Sequence, residues 1–319
     1  MSATASLSKT VFPMPPALAE SPVLGVSEAR EPSDTTAAPT LLSKIRDHAA
    51  PSVFKPENLL REARRQRGLP ERDVPEVCVL DPDGDLVRFL RRNRRARPCE
   101  GWACYHTELF EFDLADGVTA GIVGCAVGAP FAVLIAEQLF ASGCRFLVSI
   151  TSAGRIADLG DPPYVVLIER ALRDEGTSAH YLPPDVDEFA SAPDSELLAR
   201  IEAAVREALP PELGVAVHRG ATWTTDAPYR ETETAIAAAA AYGVLAVEME
   251  AAALYAFATA RNVPVACFAH VTNTMGRHDG DDFEKGEADG TVTALILIEA
   301  AVRAFRGEAT QCAGRPRVR

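Results

Sequence analysis

VEMEAAALYAFA, residues 247–258, places two carboxylates, Glu248 and Glu250, where a buried strand passes into an alanine-rich helix. Acids in the first turn of a helix interact favourably with its positive N-terminal dipole, which is one interpretation of the pair. The other is a sugar site, in which a carboxylate accepts hydrogen bonds from vicinal hydroxyls and Met249 forms an adaptable apolar wall. The local pattern leaves both interpretations open.

The sequence on either side alternates strand-like apolar runs with alanine-rich helical ones. This alternation is typical of crossover connections and predicts an α/β fold, in which helices cover a central β-sheet. Seven strands are too many for a simple bundle, and no internal repeat is visible. The predicted strands are residues 77–80, 117–124, 145–151, 163–168, 214–220, 244–249 and 263–272, and the predicted helices are residues 131–142, 195–208, 231–242, 250–261 and 290–305.

The chain of 319 residues fits a single folded domain better than two. Residues 1–50 mix Pro, Ser, Ala and Thr without a sustained apolar pattern. We expect them to form a disordered tail, because they bury too little apolar surface to offset the entropy of ordering. Residues 308–319 are expected to be a flexible C-terminal tail on the same argument, which leaves residues 51–307 as the catalytic domain.

Charge and cysteine content limit the classes of function. A net charge of -13 argues against a general nucleic-acid binder, since such proteins neutralise phosphates with clustered Lys and Arg. The arginines between positions 88 and 97 are interpreted as a solvated helix face or loop. The seven cysteines include no C-x-x-C pair, so no disulfide framework and no metal site is predicted. Without an apolar run of membrane-spanning length or a signal core, we expect a cytoplasmic protein with no membrane partner.

Four further stretches join VEMEAAALYAFA in resembling the nucleoside phosphorylase family, closest to its uridine phosphorylase branch. Residues 126–156, AVGAPFAVLIAEQLFASGCRFLVSITSAGRI, look like the family's glycine-bearing loop, helix, strand and phosphate-side turn. Residues 170–181, RALRDEGTSAHY, are similar to a uridine phosphorylase stretch and to the DEGTS run of AMP nucleosidases. ATWTTDAPYRE, residues 221–231, resembles the base-side segment, and LDPDGD, residues 80–85, sits where the family has its first glycine-bearing turn.

The resemblance covers residues 75–305 and implies the nucleoside phosphorylase fold, a single domain with a central mixed, partly barrel-like sheet flanked by helices. It implies a small-molecule nucleoside or nucleotide as the ligand, no cofactor beyond inorganic phosphate as a co-substrate, and a homo-oligomer, dimer or hexamer. The residues it singles out are Glu248, Met249, Glu250 and His180 for the ribose, Asp226 and Arg230 for the base, and Gly128, Ser149 and Ser152 for the phosphate side.

Trp223 and Tyr229 are candidates for stacking on the base, although an aromatic side chain on a buried strand is usually part of the core. Purine-cleaving relatives supply an Asp, which protonates the leaving base, at the position that Asn273 occupies here. An Asn has no dissociating proton to donate but does hydrogen-bond a carbonyl, which favours a pyrimidine leaving as an anion. The alternative is that Asn273 only caps or turns the chain.

The nucleophile side lacks the arginines that the resemblance implies. Their positions correspond to residues 83–85 in the first turn, to about Cys99 in a loop and to Ser149 on a strand. Carboxylates there repel phosphate but orient and deprotonate a water, so hydrolysis is favoured, with Asp85 as the catalytic residue on the water side. A register shift of one or two residues would instead bring Arg88 or Arg97 into an anion site, and Arg155 is a further candidate; such arginines would bind inorganic phosphate or the 5′-phosphate of a nucleotide.

The sequence therefore predicts an enzyme that cleaves the N-glycosidic bond of a nucleoside, with a pyrimidine such as uridine favoured. A phosphate-dependent phosphorylase and a nucleotide nucleosidase remain open, as does a non-catalytic nucleoside-binding protein on the same fold. His106 is a weaker candidate for the 5′ end of the sugar. The acidic run HDGDDFEKGE, residues 278–287, lacks the spacing of a calcium loop and is interpreted as a mobile flap or solvated turn.

Overall fold

The structure is a computed structural model that describes residues 45–183, 187–275, 284–286, 288 and 290–313. The described residues from Arg46 onward form one compact unit. Residues 1–44 and 314–319 of the two expected tails lie outside the described part. The last helix ends at Ala313, beyond the domain boundary expected at residue 307.

In the described part of the chain, ten strands form one mixed β-sheet. Five of them, β5, β10, β6, β8 and β9, close on each other because β10 pairs with both β5 and β6, which confirms the partly barrel-like sheet. The remaining strands extend the sheet outward from β5 in the order β1, β4, β3, β2, while β7 pairs with β6. The strands are β1 (Val77–Asp81), β2 (Ala96–Pro98), β3 (Phe110–Asp113), β4 (Thr119–Gly124), β5 (Phe146–Arg155), β6 (Tyr164–Asp174), β7 (Phe189–Ser191), β8 (Val217–Thr225), β9 (Val244–Glu248) and β10 (Val265–Asn273).

Helices lie on both faces of this sheet. All five predicted helices and all seven predicted strands are present, with bounds shifted by a few residues and with β5, β6 and β8 continuing beyond their predicted ends. The first two helices and three short strands were not predicted from the sequence. The helices are α1 (Pro56–Arg67), α2 (Asp85–Arg92), α3 (Ala129–Ala141), α4 (Ser195–Ala208), α5 (Glu233–Ala241), α6 (Ala251–Arg261) and α7 (Thr291–Ala313).

Helix α6, which carries most of VEMEAAALYAFA, is buried along its first eight residues, Ala251 to Ala258. Its many alanines let α3 and the sheet approach closely, because a methyl group adds little to the interhelical distance. The hydroxyl of Tyr255 donates to the carbonyl of Ile168 over 2.6 Å and accepts from the backbone N–H of Cys267 over 3.1 Å. These bonds tie α6 to β6 and β10 and fix the start of the helix relative to the barrel.

Candidate active site

The candidate site lies where parallel strands end. Strands β4, β1, β5 and β10 run in the same direction, so their carboxyl ends meet at one edge of the sheet. Ligands in open α/β sheets bind outside this edge, where loops leave the strands. The loops after β1 and β4, the last residues of β5 and the start of α6 converge there.

Glu248, the last residue of β9, is fully buried and all its hydrogen bonds are internal. Its Oε2 accepts from the backbone N–H groups of Glu250 and Ala251 over 2.8 and 2.7 Å. Its Oε1 accepts from the hydroxyls of Thr222 and Thr224 over 3.2 and 2.5 Å. Burial raises the pKa of this carboxyl, against the opposing effect of these bonds. Glu248 thus holds the first turn of α6 on β8 and has no oxygen directed at a ligand.

Glu250, the residue before α6, is placed differently. Its Oε1 accepts from the backbone N–H of Gly128 over 2.7 Å, whereas Oε2 is buried without a hydrogen-bond partner among the described residues. Burial, and then the charge of Glu248, raise the pKa of Glu250 to about 8. A buried carboxyl oxygen without a partner is costly, so it fits a site completed by a ligand donor such as a sugar hydroxyl.

Gly128 brings the loop after β4 to this carboxylate. Its φ of 89° lies in the left-handed region, which a side chain disfavours, and it begins α3. The resulting turn directs the Gly128 N–H at Glu250. Met249 is half-buried between the two acids.

Three aspartates shape the turn after β1. Asp81 accepts from the backbone N–H groups of Gly84 and Val87 over 3.2 and 2.9 Å, and burial raises its pKa to about 6. Asp83 accepts from the backbone N–H of Ser152 over 3.2 Å and forms a very short hydrogen bond with the Ser152 hydroxyl. The Asp83 carboxylate therefore occupies both donors that Ser152 would offer to an anion.

Asp85 lies at the start of α2 between two cations. Its Oδ1 accepts from Arg88 and its Oδ2 from Lys285, both over 2.5 Å. Burial by itself would raise the pKa of Asp85, yet the hydrogen bonds and charges of Lys285 and Arg88 outweigh it and lower the pKa. A carboxylate with both oxygens bound to cations is a weak base, so the arrangement does not favour the predicted role of Asp85.

The first turn does contain an arginine. A Cβ added to Gly84, whose φ is 74°, would lie 2.8 Å from Nη1 of Arg88 and 2.6 Å from Sγ of Cys125. Arg88 also donates to the carbonyl of Asp83 over 2.9 Å. The family's arginine position in this turn is occupied by residues 83–85, none of which is an arginine. Arg88 nevertheless contacts the turn, because one turn of α2 brings its side chain back to Asp83 and Asp85.

A small polar cavity lies between these groups, with a volume of about 30 Å³. His270 on β10 contributes a ring that is 8% exposed, and its Nε2 has no hydrogen-bond partner among the described residues. Burial lowers the pKa of His270 to about 4, so the ring is neutral near pH 7. The polar residues around the cavity are Asp81, Asp83, Asp85, Thr151, Ser152, His270, Lys285 and Thr291.

The predicted base-side residues are not gathered around Glu250 in the described chain. Asp226 accepts from the Gly176 N–H over 2.9 Å, which is a structural role. Tyr229 is 99% exposed and Arg230 is exposed as well. Trp223 donates to Asp174 over 2.9 Å and lines a separate cavity of about 600 Å³ with α5. Since neighbouring residues of a strand point to opposite faces, Trp223 faces away from Thr222 and Thr224, which contact Glu248.

Asn273 ends β10 and turns the chain. Its Oδ1 accepts from the backbone N–H of Met275 over 3.0 Å, and its Nδ2 lies 3.5 Å from the carbonyl of Ala153. Ser149 is buried on β5 with its hydroxyl unpaired among the described residues. Arg97 is held on the sheet edge by Glu111 and Asp113, each over 3.2 Å.

The remaining predicted residues do not reach the cavity. His180 and His106 are exposed, and Arg155 pairs with Asp158 over 3.5 Å. Among the described residues no group of three or more His, Cys, Asp and Glu side chains is arranged to hold a metal ion. No described helix is long and apolar enough to cross a membrane.

Sequence reasoning missed His270, Lys285 and the specific role of Asp83. His270 and Lys285 lie in the stretches HVTNTM and HDGDDFEKGE, of which residues 278–283 and 287 are outside the described part. No local signal marks either residue, because only the pairing of β10 with β5 and the return of the chain before α7 bring them to the first turn.

Known proteins agree with this fold. The phosphorylase superfamily model matches residues 76–303. A uridine phosphorylase from Thermococcus kodakarensis is 30% identical over 166 residues, which are 51% of this chain and 50% of the relative. A guanosine phosphorylase from Halorubrum lacusprofundi is 24% identical over 199 residues, 60% of this chain and 78% of that protein. A purine nucleoside phosphorylase of DeoD type from Streptococcus pyogenes is 29% identical over 232 residues, 71% and 92% of the two chains.

The chain belongs to the phosphorylase superfamily, the family of the nucleoside phosphorylases. The chain spans about half the length of the uridine phosphorylase that it matches. The three relatives differ in the base they are named for, so family membership leaves the base and the acceptor open.

Proposed function

We propose that this protein is a nucleosidase, which hydrolyses the N-glycosidic bond of a nucleoside in nucleoside catabolism or salvage. The observation that carries the proposal is the Asp83 carboxylate on both donors of Ser152. An internal carboxylate there excludes a phosphate dianion by charge and by position, because like charges within a few ångströms repel strongly. Oδ2 of this carboxylate is bound to Ser152 and lies 3.7 Å from Nζ of Lys285, so Oδ1 is the oxygen that would accept a proton from water.

Glu250 supplies the sugar side of the reaction. Its Oε2 is the buried acceptor without a described partner, and it lies near Asp83 and Thr151, whose charge and hydrogen bonding both act on its pKa. A ribose bound by Glu250 would therefore place C1′ close to the Asp83 cavity. The negative charge at Asp83, joined by that of Glu250 once this carboxyl is ionised, stabilises the cation-like sugar of the transition state.

In the proposed step a water oxygen bonds to C1′ as the bond from C1′ to the base nitrogen breaks. The electron pair of that bond leaves with the base, and the water proton passes to Asp83 and then to the departing base. The products are the free sugar and the base. A pyrimidine is favoured because Asn273 has no dissociating proton to give to a purine nitrogen, whereas its Nδ2, now 3.5 Å from the carbonyl of Ala153, would exchange that long contact for a carbonyl of the base.

Phosphorolysis is the second candidate, favoured by the two cations Arg88 and Lys285 at the same turn. Both already pair with Asp85, and phosphate would have to displace Asp83 from Ser152. A nucleotide substrate, whose 5′-phosphate these cations would bind, is a further variant of the proposal. We weigh a non-catalytic nucleoside binder below all of these, since a binder does not require a carboxylate beside C1′.

We also propose that the enzyme is a cytoplasmic homo-oligomer. The six cysteines from Cys78 to Cys267 are free thiols, as a reducing compartment favours. Tyr229 is 99% exposed and Tyr242 73% exposed, which fits surfaces covered by a second copy of the chain. A neighbouring subunit would complete the base side that the single chain leaves open.

The test is product analysis with uridine, cytidine, adenosine, inosine and their 5′-monophosphates, each with and without inorganic phosphate. Free ribose, or ribose 5-phosphate from a nucleotide, without added phosphate is the expected product. Strict dependence on phosphate, with ribose 1-phosphate as the product, would establish the phosphorylase. Tight nucleoside binding without turnover under any condition would establish the binder.

A further inference from the structure

We infer that His270 is a further catalytic residue, whose Nε2 hydrogen-bonds the attacking water inside the cavity between Asp83, Ser152 and Lys285. This inference rests on the proposed hydrolysis and names the group that orients its nucleophile. The relevant cavity is distinct from the sugar-binding oxygen of Glu250 and from the larger cavity beside Trp223.

The cavity is of the size of a water molecule. Its volume of about 30 Å³ suffices for one or two water molecules. Its lining includes the polar groups that an ordered water needs, among them Asp83, Ser152 and Lys285, whose Nζ lies 3.7 Å from Oδ2 of Asp83. A buried water usually has two to four hydrogen-bond partners, which these side chains would supply.

His270 is held in one position beside this cavity. Its backbone pairs with Ser152 in the parallel register of β10 and β5. Its ring packs so closely on Gly290 that a Cβ added there would lie 2.3 Å from Cε1 and 2.7 Å from Nδ1. The ring therefore cannot swing toward α7, and Nε2 stays at its buried place without a described partner.

The charge state of His270 suits this role. The ring is buried next to Asp83, Asp85 and Lys285, and burial is the main reason why its pKa falls to about 4. A neutral imidazole accepts or donates one hydrogen bond without adding charge to the cavity. With Asp83 accepting one hydrogen of the water and His270 bonding on another side, the oxygen lone pair is left for C1′ of the sugar bound at Glu250.

Two substitutions separate hydrogen bonding from filling of space. His270→Leu keeps most of the volume and removes the bond, so kcat for ribose release is expected to fall about 10- to 100-fold, the range for one lost bond to a charged or reacting group. KM should change little, because Glu250 binds the sugar. His270→Gln, whose amide reaches toward the same place, is expected to recover part of the rate.

A third substitution tests the size of the cavity. In methanol–water mixtures the wild-type enzyme is expected to release mainly ribose, since methanol is larger than the single water that His270 binds. His270→Ala enlarges the cavity, and the share of methyl riboside among the products should then rise. The matched control is His218→Leu on β8, a histidine whose Nε2 is also buried without a described partner but which packs on Tyr164 outside the site.

The outcomes distinguish the two proposals. Wild-type ribose release without phosphate tests the hydrolysis alone, and its absence overturns both. If the wild type hydrolyses but His270→Leu keeps the wild-type kcat, or His270→Ala forms no larger share of methyl riboside while still turning over, the assignment of His270 is wrong and the nucleosidase stands. Nucleoside affinity by calorimetry and the melting temperature, compared with His218→Leu, show whether each variant is folded.

Discussion

Asp83 accepts hydrogen bonds from both the backbone N–H and the hydroxyl of Ser152, so a carboxylate of the chain itself occupies the donors at the end of β5. The same pair joins the turn after β1 to the strand that leads to the sugar side. Because Asp83 already occupies these donors, an anion from solvent is not needed there. Under the proposed hydrolysis, water would take the place of phosphate at this turn. The predictions below start from this pair.

Replacing Asp83 tests the base. Asp83→Asn keeps the shape of the side chain but removes the proton acceptor, so kcat for ribose release is expected to fall by about 100-fold or more, the usual contribution of a general base. Inorganic phosphate should at the same time become a better inhibitor or acceptor, because the repelling charge is lost. Rates measured with and without phosphate check both effects. Asp158→Asn, at a side chain that is 89% exposed, is the control and should leave the rate unchanged.

The pKa of Glu250 predicts a pH profile. Burial and then the charge of Glu248 raise this pKa to about 8, and only the ionised carboxylate is a full acceptor for two sugar hydroxyls. We therefore expect kcat/KM to rise with pH up to about 8 in the free enzyme. In Glu250→Gln this rise should disappear and kcat/KM should fall by about 100-fold, the scale of a lost charged hydrogen bond. An unchanged profile in Glu250→Gln would assign the ionisation to another group.

The same shift links stability to pH. The folded protein holds a proton on Glu250 up to about pH 8, whereas the unfolded chain loses it near the ordinary value of about 4.5. Between these values the unfolded state binds fewer protons, so the free energy of unfolding contributed by this group falls as pH rises. Melting temperatures of the ligand-free wild type should decline across this window more steeply than those of Glu250→Gln. An equal slope for the two proteins would contradict the buried, protonated state.

Glu248 is expected to act on stability more than on binding. Glu248→Ala leaves two backbone N–H groups and two threonine hydroxyls without their acceptor, which is expected to cost about 3 to 5 kcal/mol. Glu248→Gln should cost far less, because its carbonyl still accepts from the N–H groups of α6 and the hydroxyls rotate to accept from its amide. Urea unfolding of the two variants measures the difference; equal costs would show that hydrogen bonding at Glu248 is not what holds α6.

Two glycines separate backbone strain from crowding. Gly68 and Gly84 have similar positive φ values, 64° and 74°, but a Cβ on Gly68 meets nothing within 4 Å, whereas one on Gly84 meets Cys125 and Arg88. Gly68→Ala is expected to lose about 1 kcal/mol of stability through its backbone alone. Gly84→Ala should lose more and should also lower kcat, since Arg88 and the turn that carries Asp83 must shift. Equal stability losses and an unaltered kcat would show that the turn is not packed as described.

Much of the fold could be read from local patterns. The alanine-rich helices and apolar strands were predicted because periodic burial leaves a signal in the sequence itself. Strands β2, β3 and β7 were not predicted, because three or four residues are too few to show the alternation of apolar and polar side chains that marks a strand. Helices α1 and α2 were not predicted, because their arginine-rich surfaces are equally typical of a solvated loop.

The sequence by itself determined the family, the α/β fold and the two acids at the start of α6, since all three depend on residues that are close together in the chain. Tertiary structure alone decided which acid faces a ligand. Both oxygens of Glu248 accept hydrogen bonds within the chain, including those from Thr222 and Thr224 of β8, while Oε1 of Glu250 accepts from Gly128 and its Oε2 is buried without a described partner. The tertiary structure also brought His270 and Lys285 to the aspartate turn. Lys285 and Asp85, which form a hydrogen bond, are 200 residues apart in the sequence. Such contacts leave no mark in local sequence, because they are set by how the strands pair and close into the barrel.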